Sequence, residues 1–139
     1  MTYRFVATIA YGWHDELPPG AYCPSAGVIE SEDEESFALE FQCSVAEPDE
    51  QEVRLGLDSY CVVTPDQNTA YGCVRTVELS GDLLRVTFDP ARLDGLGLED
   101  PVVEVVLNAP PEDVARMREA LLRILAYGRS DALPIVRAG

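Results

Sequence analysis

The 139-residue chain has no lysine. All ten of its basic residues are arginines, set against 25 aspartates and glutamates, and the formal net charge is -15. A chain this acidic is repelled by phosphate backbones and by anionic membrane surfaces, which excludes ordinary electrostatic binding to nucleic acid or to such membranes. Without lysine there is no Walker-type phosphate site, and the glycines are dispersed rather than gathered into a phosphate loop. Histidine is nearly absent too: His14 stands alone, with no metal-spaced neighbour. Cysteine is present as Cys23, Cys43, Cys61 and Cys73, but no two fall in a CxxC. Cys43, Cys61 and Cys73 sit in apolar, strand-like runs, where a free thiol behaves as a small hydrophobe; a zinc site is the weaker alternative. No apolar run approaches the length of a membrane-spanning helix. Arg4 interrupts the opening TYRFVATIAYG, which lacks the unbroken apolar core of a secretory signal. The expected compartment is the cytoplasm.

What is present is enough to fold. Hydrophobic residues make up 47% of the chain, too many for a disordered acidic tail, and the length suits a single domain over 1–139. Residues 3–10 alternate with period two and read as one strand. Residues 13–27, with Pro18, Pro19, Gly20 and Pro24, read as a loop crossing the surface. Phe37, Leu39, Phe41 and Cys43 would share one face of a second strand. Residues 60–64 read as a third, ended by the turn Pro65-Asp66-Gln67-Asn68, and the β-branched run 102–107 as a buried one.

The best-defined local feature is a hairpin. Gly81-Asp82 places glycine first, as a type II′ turn requires, and this register sets Leu79 against Leu84 and Val77 against Val86. Glu78 then faces Arg85 and Thr76 faces Thr87, so apolar, charged and hydroxyl pairs all match. Asp89-Pro90 reads as an N-cap followed by proline, opening a short helical turn that stops at Gly95 or Gly97. One long helix follows Pro111-Glu112-Asp113. Its apolar stripe is Val114, Met117, Leu121, Ile124 and Leu125, and Gly128 is the expected C-terminal cap. Strands plus one such helix predict an α+β fold: a mainly antiparallel sheet with the C-terminal amphipathic helix packed across a face.

No catalytic motif is evident. His14 lies between Trp13 and the acids Asp15 and Glu16, yet adjacent loop residues point different ways, and the reading is a solvated surface loop. The informative feature is where the charge lies. Residues 1–70 hold 14 acids and 2 arginines, a net of -12, whereas 71–139 hold 11 acids and 8 arginines, a net of -3. Ten acids lie between Glu30 and Glu52 with no arginine among them. Such a block is either solvated loop or a docking surface for a basic protein, where complementary charge speeds encounter and selects partners.

The stretch QEVRLGLDSYCVVTPDQNTAYGCV (residues 51–74), with LGLEDPVVEVVL (96–107), LLRILAYGR (121–129) and the opening MTYRF, resembles the immunity protein 10 family. The likeness covers most of the chain from residue 51 onward and is loose over 13–50. It implies a small α+β cytoplasmic protein, the antidote half of a bacterial polymorphic toxin system, that binds and neutralises a cognate toxin. It implies no catalytic residues, no cofactor and no metal. The expected function is therefore stoichiometric binding of a toxin, itself basic, through an acidic face. The alternative is a general acidic interaction module, such as a nucleic-acid mimic that binds a basic protein. The candidate partner-binding residues are Glu32, Asp33, Glu34, Glu35, Glu47, Asp49 and Glu50, then Asp58, Tyr60, Asp66 and Tyr71 around the family-like motif. Tyr60 has a competing structural reading, as a core tyrosine with a hydrogen-bonded tip.

Overall fold

The computed structural model describes residues 2–33, 35–45, 48–55 and 58–138. The opening strand-like run is two strands rather than one. β1 (Thr2–Ala7) buries Phe5 and Ala7, whereas β2 (Ile9–Trp13) buries Ala10, so the phase of burial flips at Thr8. The Thr8 amide donates to the Ile29 carbonyl at 3.0 Å and its hydroxyl to the Glu30 carbonyl at 2.8 Å, fixing the bend. Beyond the bend the chain enters a different sheet. Because the residues flanking the flip are small alanines, a period-two pattern runs through it unbroken.

The antiparallel sheet has the order β2-β3-β4-β5-β6, adding β3 (Ser25–Ile29), β4 (Ala38–Gln42), β5 (Cys61–Thr64) and β6 (Asn68–Tyr71). β3 corrects the expectation of a loop through Gly27. Gly27 pairs directly with Tyr11, and a Cβ there would strike the Tyr11 ring, which lies across the glycine. In composition Gly27 looks like a loop residue; in place it makes room for a cross-strand aromatic. The turn between β5 and β6 is a 3₁₀ turn over Pro65–Gln67, with Gln67 at φ 63°.

The mixed sheet has the order β1-β9-β8-β7-β10, with β7 (Val74–Ser80), β8 (Leu83–Phe88), β9 (Val102–Leu107) and β10 (Ile135–Ala138). The β7–β8 hairpin pairs Leu79 with Leu84, Glu78 with Arg85, Val77 with Val86 and Thr76 with Thr87, the register the sequence predicts. Gly81 has φ 59° while Asp82 is not among the positive-φ residues, as a type II′ turn requires. The outer strands are parallel to their neighbours, β1 to β9 and β10 to β7.

Among the described residues, three α-helices accompany the sheets. α1 (Glu50–Arg54) is a single capped turn and α2 (Leu93–Leu96) continues a 3₁₀ turn opened by the Asp89 cap and closed by Gly97 at φ 67°. α3 (Pro111–Ile124) is the long amphipathic helix and buries Met117, Ala120, Leu121 and Ile124. It packs across β2, β3 and β4. At the crossing, a Cβ on Gly12 would lie 2.7 Å from the Met117 Cα and closer still to the Arg116 carbonyl, so only glycine lets the helix approach. Gly128 is not the helix cap: α3 ends on Leu125, and Gly128, at φ 99°, bridges to Ser59, where a Cβ would strike the Asp58 and Ser59 backbone.

The buried faces of both sheets and the inner side of α3 form one hydrophobic cluster, which includes Phe5, Val28, Phe41, Val62, Val86, Val105 and Leu121. Phe37 closes the seam at one end, with its ring centroid 4.7 Å from that of Tyr3 and 5.0 Å from that of Phe5. Among the described residues, no helix is long and apolar enough to cross a membrane.

Candidate protein-binding face

Strand alternation gives the antiparallel sheet a core face and an outer face. Gly12, Ala26, Phe41, Val62 and Ala70 form a row on the core side, under α3. The outer face carries three rows: Ile9–Ile29–Ala38, then Tyr11–Gly27–Glu40–Val63–Thr69, then Trp13–Ser25–Gln42–Cys61–Tyr71. The acid-rich segments stand at its two ends. Residues 30–37 connect β3 to β4, and α1 follows the far end of β4, whose five residues span about 16 Å at ~3.3 Å per residue. Glu40 lies between them.

The 30–37 connection is built to hold its acids outward. Its backbone closes with the Glu30 amide donating to the Phe37 carbonyl at 2.9 Å. The Ser36 hydroxyl donates to the carbonyls of Asp33 and Ser31, at 2.7 and 2.9 Å. The Asp33 carboxylate accepts from the Glu35 amide at 3.0 Å. With Ser31, Asp33 and Ser36 tying the turn, Glu32 and Glu35 are left exposed. Below them Ile9, Ile29, Ala38 and Val63 floor a groove of about 610 Å³ whose rim bears Glu32, Asp33, Glu35 and Glu40. Glu40 is held in place: the Tyr11 hydroxyl hydrogen-bonds to it, and so does the Gln42 side-chain amide. Burial, then the Glu40 charge, pushes the Tyr11 phenol far above its usual range, so it stays a donor.

At the other end, Asp49 and Glu52 form a capping box: the Asp49 carboxylate accepts from the Glu52 amide at 2.8 Å and the Glu52 carboxylate from the Asp49 amide at 3.1 Å. Glu50 points to solvent. α1 itself buries no residue, and Val53 and Leu55 are 55% and 63% exposed, with Val45 nearby in sequence at 68%. These aliphatics have no place in the sequence reading. Their signal is apolar residues within and just after the acidic run, which hydrophobic periodicity assigns to the core. A smaller recess beside Glu52 is lined by Cys23, Cys61 and Tyr71.

The other candidates fall in different surroundings. Tyr60 is fully buried; its hydroxyl accepts from the Val74 amide at 3.0 Å and donates toward the Ala132 carbonyl at 3.0 Å, which is the core reading. Asp58 is buried as well, 3.2 Å from the Arg129 guanidinium, whose amide in turn donates to the Asp58 carbonyl. Neither presents its side chain at the surface, because both anchor the segment after α3. Tyr71 is half-buried at the end of the outer face. Glu34, Glu47 and the side chain of Asp66 lie outside the described residues.

His14 is not a solvated loop residue. Its ring is 19% exposed and sits 3.2 Å from both Asp15 and Glu119, and Arg123 reaches Asp15 at 3.0 Å, so the loop after β2 is latched to α3. The adjacent acid does turn toward it, because the helix supplies the second partner. The four cysteines are free. Burial pushes Cys43 and Cys61 up to about 11 and Cys73 up to about 12, the behaviour of packed thiols. Among the described residues no group of three His, Cys, Asp or Glu side chains could hold a metal ion.

Arg75, Arg116, Arg123, Arg129 and Arg137 are held in ion pairs away from this face. The described ion pairs use Asp15, Asp58, Glu78, Asp89, Asp113, Glu119 and Asp131, all outside 30–52. The model of the immunity protein 10 family matches residues 7–115. The match takes in the stretch 13–50, where the resemblance read from the sequence was loose, and stops before the end of α3. No curated protein and no solved structure matches the chain.

Proposed function

The chain belongs to the immunity protein 10 family, whose role is toxin neutralisation without catalysis, and on that premise we propose that it engages its toxin through the acid-bracketed outer face of the antiparallel sheet. The observation that carries this reading is the pairing pattern. Glu32, Asp33, Glu35, Asp49 and Glu50 are exposed at the ends of one face, while the ion pairs among the described residues draw on other acids. Unpaired carboxylates on a protein of net charge -15 favour a basic partner and steer it inward. The aliphatic floor of the groove and the exposed Val53 and Leu55 give that partner apolar surface to bury once it has arrived. Charge sets the encounter, and apolar contact holds it.

Reversal of Glu32, Glu35 and Glu50 to lysine tests the reading. Affinity for the cognate toxin falls at least tenfold, chiefly through slower association. The same change of net charge made at Asp94, Glu99 and Glu112, all exposed elsewhere, has a much smaller effect. Equal losses from both triples would mean that net charge, rather than this face, is what matters.

A further inference from the structure

The outer face of the mixed sheet carries a row of charges that crosses all five strands. Register places Arg4 beside Glu104, Glu104 beside Arg85, Arg85 beside Glu78 and Glu78 beside Arg137. The signs alternate strand by strand, and the last pair closes at 3.1 Å. Above the row lie Val6, Val106, Leu83 and Ser80; below it lie Thr2, Val102, Thr87, Thr76 and Ile135. Val6 is 44% and Ile135 60% exposed. This face therefore bears one net positive charge on a chain of -15, with aliphatic side chains on both flanks.

We infer that this face is a self-association surface, and its partner a second copy of the chain. The charge pattern is self-complementary under a two-fold axis. Superposing the row on its own reverse in register sets like on like. Shifting by one strand sets every facing pair opposite: Arg4 meets Glu78 and Arg85 meets Glu104 of the second copy, and the reciprocal contacts follow from the symmetry. The other one-strand shift sets Arg85 against Glu78 and Glu104 against Arg137. Arg85 is paired in both. Glu78 and Arg137 arrive already paired, the other charges of the row gain opposite partners across the interface, and the flanking valines and leucine supply the apolar burial. With a one-strand shift four strands overlap, about 19 Å across at ~4.8 Å per strand, and at about 20 Å high they offer roughly 400 Å² per copy, below the ~800 Å² of a standard interface. The dimer is weak and reversible, formed only at high protein concentration. It leaves the acid-bracketed face of each copy open.

Sedimentation equilibrium of the purified protein from about 10 µM to 1 mM tests this, at low and at high salt. Dimer forms at the upper concentrations, and it strengthens with salt because screening relieves the repulsion between two chains of -15. Arg85→Glu weakens it at least tenfold. Adding Glu104→Arg, or in the other register Glu78→Arg, restores it, and Leu83→Asp on the flanking row weakens it without touching the charges. A monomer throughout the concentration range overturns the inference. So does a dimer indifferent to Arg85→Glu and Leu83→Asp, or one that neither charge swap restores, with circular dichroism reporting that the variants are folded.

Discussion

Gly12 decides how closely α3 approaches the antiparallel sheet, because its missing Cβ is what the helix backbone rests on. Gly12→Ala forces helix and sheet apart and costs about 1–3 kcal/mol in urea denaturation. Gly95 is the matched control: nothing lies within 4 Å of a Cβ there, so Gly95→Ala is neutral or slightly stabilising. Tyr60 acts through its hydroxyl. Tyr60→Phe strands the buried Val74 amide and costs about 1–3 kcal/mol by the same measurement. The thiols give a pH dependence of known sign. Burial raises Cys73 from 9.0 to about 12 and Cys61 to about 11, so between those limits the unfolded chain loses protons that the folded one keeps. Stability is unaffected by these groups below pH 9 and falls as pH rises above it. Alkylation by iodoacetamide at pH 8 is correspondingly slow in the native protein and fast in denaturant.

Among the elements, α1 is the one held by its cap and by nothing beneath it. Asp49→Ala removes the capping box, worth about 1 kcal/mol locally, and hydrogen exchange of the amides over 50–55 speeds about fivefold while the global urea midpoint barely moves. The β7–β8 hairpin is the opposite case. Its turn glycine and its four matched pairs agree, and so its register was legible from sequence alone. Legibility fails where one residue serves two purposes. The small residues Ala7 and Ala10 hide the change of sheet at Thr8, and Gly27 looks like a loop until Tyr11 is laid over it. β10 has no core face to advertise, since all four of its residues are exposed. The α+β class survives these misses because α3 and the buried strands carry strong periodicity; the division into two sheets does not follow from periodicity, which says nothing about which strands pair.

For the whole molecule, charge is the organising variable. Sequence position alone concentrates it between residues 30 and 52, and the fold sets that segment at the two ends of one sheet face, with Glu40 between. The opposite pattern, a balanced alternating row, covers the mixed sheet. The candidate site is legible as a segment but not as a face, because the segment spans β4, whose length keeps its two acidic ends apart. Legibility ran short at Asp58, since adjacency to a recognisable motif says nothing about whether a side chain is buried, whereas the core reading of Tyr60 was available from its strand position and is the one its burial supports. The measurement that bears most directly on the acid-bracketed face is the association rate constant with the cognate toxin, followed by stopped flow from about 20 to 500 mM salt. For the native chain the rate falls at least tenfold across that range, and the lysine reversals at Glu32, Glu35 and Glu50 flatten the dependence. A rate that is independent of salt, or a slope that the three reversals leave unchanged, would contradict the account.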